Sequence, residues 1–146
     1  MALDSVNVDF IVAILYRRRM SWQILRISLL TILAIGILLL SLLPEPPIDV
    51  KYLLGLDKVQ HWLAYAALGC LVLLTIQKKD RSLLFYYTVS VFSCTMYGGL
   101  IEVLQRYTGR TPDTVDFFVN LFGAAAGGVV ALGFIEMSRN RRNREP

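Results

Sequence analysis

The sequence predicts an all-α integral membrane protein: a four-helix transmembrane bundle preceded by a short N-terminal interfacial helix. Three observations carry that expectation. Of the 146 residues, 55% are hydrophobic and 18% charged, and the mean hydropathy is +0.55. That is too apolar for a water-soluble domain of this length. The apolar residues fall into four runs of about 20, the length that crosses a hydrocarbon core. The charged residues cluster between those runs, where a membrane protein keeps its loops.

In residues 1–21, a short apolar patch over 10–16 is followed by Arg17, Arg18 and Arg19. The patch is too short to span, and its basic neighbours suit a helix lying on the cytoplasmic surface. Residues 22–43 form the first span, whose single charge, Arg26, is near enough to the end to snorkel. The run is too long for a signal-peptide core and SLLPEPP lacks a small-x-small cleavage site, so the span is expected to be retained. Pro44, Pro46 and Pro47 cannot continue a helix and open a loop that reaches Leu56. Residues 57–76 are the second span, with Asp57 and Gln60 read as a capping-box variant.

QKKDR, at 77–81, is a tight basic turn. The third span covers 83–104, where Gly98 and Gly99 allow close helix approach. After a loop containing Gly109, Thr111 is expected to cap the fourth helix, with Pro112 at its first position. That helix runs over 112–137 and is followed by an arginine-rich tail. The whole chain, 1–146, reads as a single membrane domain.

Charge gives the orientation. Of the 15 Lys and Arg residues, eleven (Arg17, Arg18, Arg19, Arg26, Lys78, Lys79, Arg81, Arg139, Arg141, Arg142 and Arg144) fall on one side. The other side holds the remaining four: Lys51, Lys58, Arg106 and Arg110. The positive-inside rule puts both termini in the cytoplasm and the 106–111 loop outside. The net charge of +4 does not indicate nucleic-acid binding, because the basic residues end apolar runs instead of forming a polar face. Cys70 and Cys94 lie inside apolar runs and read as buried free thiols.

The polar residues within the spans gather at one level. Asp57, His61 and Tyr65 are spaced i, i+4, i+8 and share one helix face, with Lys58 beside them. Glu102 and Gln105 end the third span at the same depth. Asp113, Asp116 and Asn120 begin the fourth on the face that continues through Gly123 and Gly127, a small-xxx-small pattern. Several have ordinary structural explanations. Asp57 can cap its helix, Asp113 can answer a helix dipole, Lys58 and Arg106 can anchor at the interface, and Tyr65 can simply pack. His61, Glu102, Asp116 and Asn120 are harder to explain singly, since a carboxylate inside a span costs a few kcal/mol unless paired or wetted. They are expected to share one pocket near the outer surface. No cofactor or metal is expected, because the chain has one histidine and no HExxH. The inner halves of the spans lack the polar lining that a conducting pore needs.

Taken together, D57-K-x-x-H61-x-x-x-Y65, E102-x-x-Q105 and R110-x-x-D113-x-x-D116-x-x-x-N120-x-x-G123-x-x-x-G127 resemble the VanZ-like membrane proteins. The resemblance covers residues 57–127, and residues 1–56 add only general hydrophobicity. It implies a four-span protein of the bacterial cytoplasmic membrane. It carries Asp57, Lys58, His61, Tyr65, Glu102, Gln105, Arg110, Asp116 and Asn120 over as site residues. The family's named member gives low-level resistance to the glycopeptide teicoplanin.

Three functions fit these residues. In the first, the protein binds a lipid-linked or amphipathic anionic ligand, such as a lipid-linked cell-wall precursor or a lipoglycopeptide. Arg110 and Lys58 would meet its phosphate or carboxylate, with Asp57, Tyr65, Gln105 and Asn120 around it. In the second, it is a membrane-embedded enzyme acting on a lipid headgroup, with His61 as base or nucleophile and Glu102 and Asp116 assisting. In the third, the polar layer only locks the bundle or binds a partner protein. Membrane lipids are the expected partners, and nucleic acid is not. The orientation has a direct test. A cysteine introduced at Glu45 should be labelled by an impermeant reagent in intact cells, and one at Lys79 should not. Labelling at Lys79 would reverse the topology.

Overall fold

The computed structural model describes residues 3–43, 54–78, 80–109 and 113–144. These residues form four helices and no strand: α1 (Leu3–Leu42), α2 (Leu54–Ile76), α3 (Leu83–Gln105) and α4 (Thr114–Arg142). Each is long and apolar enough to cross a membrane, the apolar segments being Met20–Leu42, Asp57–Ile76, Leu83–Gln105 and Thr114–Arg141.

Three local expectations are revised. A separate N-terminal helix over 1–21 is not seen, because α1 runs unbroken for 40 residues. No proline or glycine interrupts the sequence between Leu3 and Ile35, and Arg and Met are good helix formers, so nothing stops the helix at the arginines. The helix α2 starts at Leu54, three residues before Asp57, which therefore sits in the first turn and is not the cap. The cap of α4 is Asp113. Its backbone is extended, and its side chain accepts from Val115 N at 2.9 Å. Thr111 and Pro112, the expected cap and first helical residue, lie outside the described residues, as do Glu45 and Lys79.

The centre of the bundle is the α2–α4 pair. Its two backbones are nearly in contact because the facing residues are small. A Cβ at Gly123 would come within 2.5 Å of Trp62 O, and one at Gly127 or Gly69 would collide with the Ala66 or Ala124 carbonyl oxygen. Trp62 meeting Gly123, and Ala66 meeting Gly127, also shows that the two helices run in the same direction. The small-xxx-small pattern of α4 thus has a partner stripe on α2. On α3, Gly98 makes room for the Tyr65 ring and the Asn120 amide, while Gly99 meets Phe117 at ordinary distance.

The helix α1 packs on α2 and α3 but not on α4 among the described residues, and α3 packs on α2 and α4. Ile37, Tyr65, Leu68, Cys94, Ile101 and Ala124 form one core cluster. Leu73, Tyr86, Ala131 and Ile135 form a second. Hydroxyls between the helices donate to carbonyls, the buried Ser90 Oγ to Gly69 O at 2.9 Å and the half-buried Tyr97 Oη to Ala34 O at 2.6 Å. Leu40, Leu84, Phe92 and Phe134 instead face outward, each more than 60% exposed. Water would not tolerate so apolar an outer surface, whereas lipid would. Cys70 and Cys94 are free.

Gly127→Leu should therefore separate α2 from α4 and destabilise the bundle by about 1–3 kcal/mol or more, the range of overpacking effects. Gly133→Ala should stay within about 0.5 kcal/mol of wild type, because no atom lies within 4 Å of that position. Unfolding in mixed micelles would measure both.

Candidate functional site

The parallel run of α2 and α4 brings both helix starts to the same end of the bundle. Lys58, in the first turns of α2, reaches across to α4. Its Nζ donates to Asp113 Oδ2 at 2.6 Å and also to Asp116 Oδ1. Asp57 Oδ2 stands 4.0 Å from the same ammonium. One cation thus ties three carboxylates, two on α4 and one on α2. Asp113 serves two purposes, since Oδ1 caps the helix while Oδ2 accepts from Lys58.

One turn deeper, His61 Nδ1 lies 3.2 Å from Asn120 Oδ1. An amide oxygen can only accept, so this bond needs the proton on Nδ1. The other ring nitrogen, Nε2, then faces Asp57 Oδ1 at 3.6 Å, too long for a good hydrogen bond. Asn120 is 2% exposed and its amide occupies space that a side chain at Gly98 would take, so the contact that orients the ring is itself held by packing.

One ligand atom each from Asp57, His61 and Asp116 can be brought within 4.8 Å of one another. Neighbouring ligands of a tetrahedral ion with bonds of about 2.0–2.2 Å lie roughly 3.3–3.6 Å apart, so the His61–Asp57 pair has suitable spacing. Asn120, bonded to Nδ1, would act as the outer partner that metal-binding histidines commonly have. Lys58 already holds Asp116, and a divalent ion would have to displace it.

The remaining expected site residues divide. Tyr65 is 1% exposed and belongs to the core cluster with Cys94 and Ile101. Gln105 is 5% exposed and donates from Nε2 to Ser41 O at 2.9 Å, joining the end of α3 to the end of α1. Glu102 lies within electrostatic reach of Asp116, Asp113, His61 and Lys58. Its Oε1 is enclosed without a hydrogen-bond partner among the described residues. Arg110 lies outside the described residues. The structure thus gathers Asp57, Lys58, His61, Asp116 and Asn120 directly, with Glu102 nearby. It turns Tyr65 and Gln105 toward packing. It also adds a component with no sequence signal. A cleft of about 140 Å³ runs beside His61, with Ile37, Leu40 and Ser41 of α1 on one wall and Asp57, Gln60, His61, Ala64 and Tyr65 of α2 on the other.

These features define an all-helical protein among the described residues, with four helices long and apolar enough to cross a membrane and an acid-rich polar site at one end. Comparison of the chain with protein-family models, curated proteins and solved structures found no match.

The Lys58 ammonium, and secondarily the Val115 amide, hold Asp113 below its ordinary carboxylate range. A depressed carboxyl stabilises the fold above its unfolded pKa, and that contribution disappears as pH falls through the folded value. Asp113→Asn should accordingly remove part of the acid sensitivity of unfolding. The effect should be modest, since the side chain is 47% exposed. Lys58→Met leaves Asp113 and Asp116 without their cation and should destabilise more, by about 1–2 kcal/mol near neutral pH. Thermal unfolding in detergent across a pH series would check both the order and the pH trend.

Proposed function

We propose that the chain is a VanZ-like integral membrane protein of the bacterial cytoplasmic membrane, which binds an amphipathic, lipid-linked molecule at its outer face. The cleft beside His61 is the observation that carries this reading. One wall comes from α1 and is apolar apart from Ser41, while the other presents Asp57, Gln60 and His61. An apolar tail would lie along Ile37 and Leu40, with Leu40 68% exposed at the rim. The polar head would sit against Asp57 and His61.

The orientation rests on the eleven-to-four distribution of Lys and Arg. A 40-residue helix is about 60 Å long, twice the hydrocarbon thickness, so the start of α1 and its three arginines would stand in the cytoplasm. The assignment to the cell envelope, with a lipid-linked wall precursor or a lipoglycopeptide as ligand, rests on the family resemblance of residues 57–127.

The charge of the head group needs a different reading from the sequence-based one. An anionic head was expected to meet Lys58 and Arg110. Lys58 is engaged by two aspartates, and Asp57 and Glu102 add further negative charge nearby. A head bearing positive charge or several hydrogen-bond donors suits that surface better.

One observation also favours catalysis. Asn120 fixes the ring of His61 with the proton on Nδ1 and leaves Nε2 beside Asp57. That is the arrangement a general base acting on a lipid headgroup would need.

Two substitutions separate these readings. His61→Gln keeps hydrogen bonding but cannot titrate near neutral pH, and Asp116→Asn keeps shape but loses charge. Lipoglycopeptide susceptibility and lipid turnover would be measured per amount of folded protein in the membrane. Binding by a polar head predicts that His61→Gln keeps most function and Asp116→Asn weakens it severalfold. Catalysis by His61 predicts loss of turnover by orders of magnitude in His61→Gln at normal abundance. Full function in both variants would leave the polar layer a purely structural role.

A further inference from the structure

The other end of the bundle holds a larger cavity, of about 800 Å³. It opens between α1, the last turn of α2 and the last turns of α4. It exists because α1 and α4 do not pack on each other. Its walls include Trp22, Leu74 and Phe134, and three cations line it: Arg26, Lys78 and Arg139. No carboxylate among the described residues lines it. We propose that this cavity binds the phosphate-bearing headgroup of an anionic phospholipid.

Arg26 gives the cavity its fixed point. It lies within the apolar part of α1 and is half-buried. Its Nη1 donates to Leu74 O at 2.9 Å. That carbonyl is in the last turn of α2, where helical partners run out. The contact caps α2 and holds the guanidinium in one place. A guanidinium has five N–H donors, so the cap leaves donors that can be directed at an anion. Lys78, just past the end of α2, and Arg139, near the end of α4, approach the same space from two other helices. Both are exposed and free of the helix packing.

A lipid suits the cavity better than a free phosphate does. The basic residues sit at the ends of apolar spans, at the depth of a headgroup layer. Trp22 is 58% exposed there, as aromatic residues are at a membrane interface. Phe134 is 64% exposed and gives an acyl chain a surface to follow from the cavity into the hydrocarbon. Basic pockets between spanning helices hold anionic headgroups by this combination of charge and wall. The positive-inside bias explains why cations are at this end. It does not explain why three of them, from three helices, line one cavity without an acid.

The full-length protein would be reconstituted in nanodiscs of phosphatidylcholine containing a minority of phosphatidylglycerol, then released for native mass spectrometry. Wild type should retain phosphatidylglycerol over phosphatidylcholine. Lys78→Gln and Arg139→Gln should each weaken that retention roughly fivefold, the effect of one cation near an anionic surface. Arg141→Gln removes the same charge from the same end without touching the cavity and should change retention less than about twofold. Arg26→Lys keeps the charge while losing the planar fork, and should fall between these. Equal loss in Arg141→Gln and Arg139→Gln, or no lipid preference in wild type, would overturn the proposal. Displacement of the retained lipid by inorganic phosphate at millimolar concentration would also overturn it, because the site would then belong to a soluble anion. None of these readouts involves His61 or Asp116, so the result stands or falls separately from the function assigned to the other end.

Discussion

The backbone contact between α2 and α4 is the constraint from which both ends of the molecule follow. Gly69, Gly123 and Gly127 remove the side chains that would hold the helices apart. Only at that separation can a lysine on α2 reach two aspartates on α4, or His61 reach Asn120. The contact is also parallel. Two helix N-termini therefore lie side by side at one end and two C-termini at the other. Helix dipoles favour acids at the first and cations at the second, by up to about 1 kcal/mol per well-placed charge. Asp57, Asp113 and Asp116 occupy the first turns or cap, and Lys78 and Arg139 lie near the last turns. The charge polarity of the bundle thus matches helix direction.

Much of this was legible in the sequence. The four spans were visible because hydrophobic run length is a local property, and their bounds agree to within a few residues. The common depth of His61, Asp116 and Asn120 follows from counting along helices. Other features depended on what lies opposite, which no single run of residues contains. Gln105 has the composition of a site residue, yet Ser41 O on α1 takes its amide. Tyr65 shares a face with His61, but that face rotates into the core one turn deeper. The cap of α4 was misplaced for a local reason. Thr111-Pro112 matches the usual start of a helix, but the cap is Asp113, whose second carboxylate oxygen accepts from Lys58.

Arg26 illustrates the same limit at the other end. From sequence it is a charge near a span end, free to snorkel toward water. In the fold it is fixed, because α2 ends beside it with a carbonyl that lacks a helical partner. Its place therefore depends on where the neighbouring helix ends and not on solvent alone. The cavity around it has a similar origin. Nothing in α1 or α4 alone indicates that the two helices fail to meet, and the space between them follows from both packing on α2 and α3.

The division of labour within the polar end narrows the chemistry that can occur there. Lys58 is enclosed by carboxylates, Asn120 is buried against Gly98, and Gln105 and Tyr65 hold helices together. These residues build the site and are not free to meet a ligand. Among the described residues, the polar groups that border the cleft are Ser41, Asp57, Gln60 and His61, and of these Asp57 and His61 face each other. Their neighbour Nε2–Oδ1 distance of 3.6 Å is long enough that a third atom, whether a proton donor on a head group or a cation, can enter the space between them. Whatever enters meets an imidazole fixed on its far side and a carboxylate restrained by Lys58. It therefore meets a fixed geometry. A ligand that donates to both groups satisfies them together, whereas an anion would meet Asp57 with no cation among the described residues beside it except Lys58, which Asp113 and Asp116 already hold. The proposed preference for donors over acceptors rests on the same Lys58 bridge that joins α2 to α4.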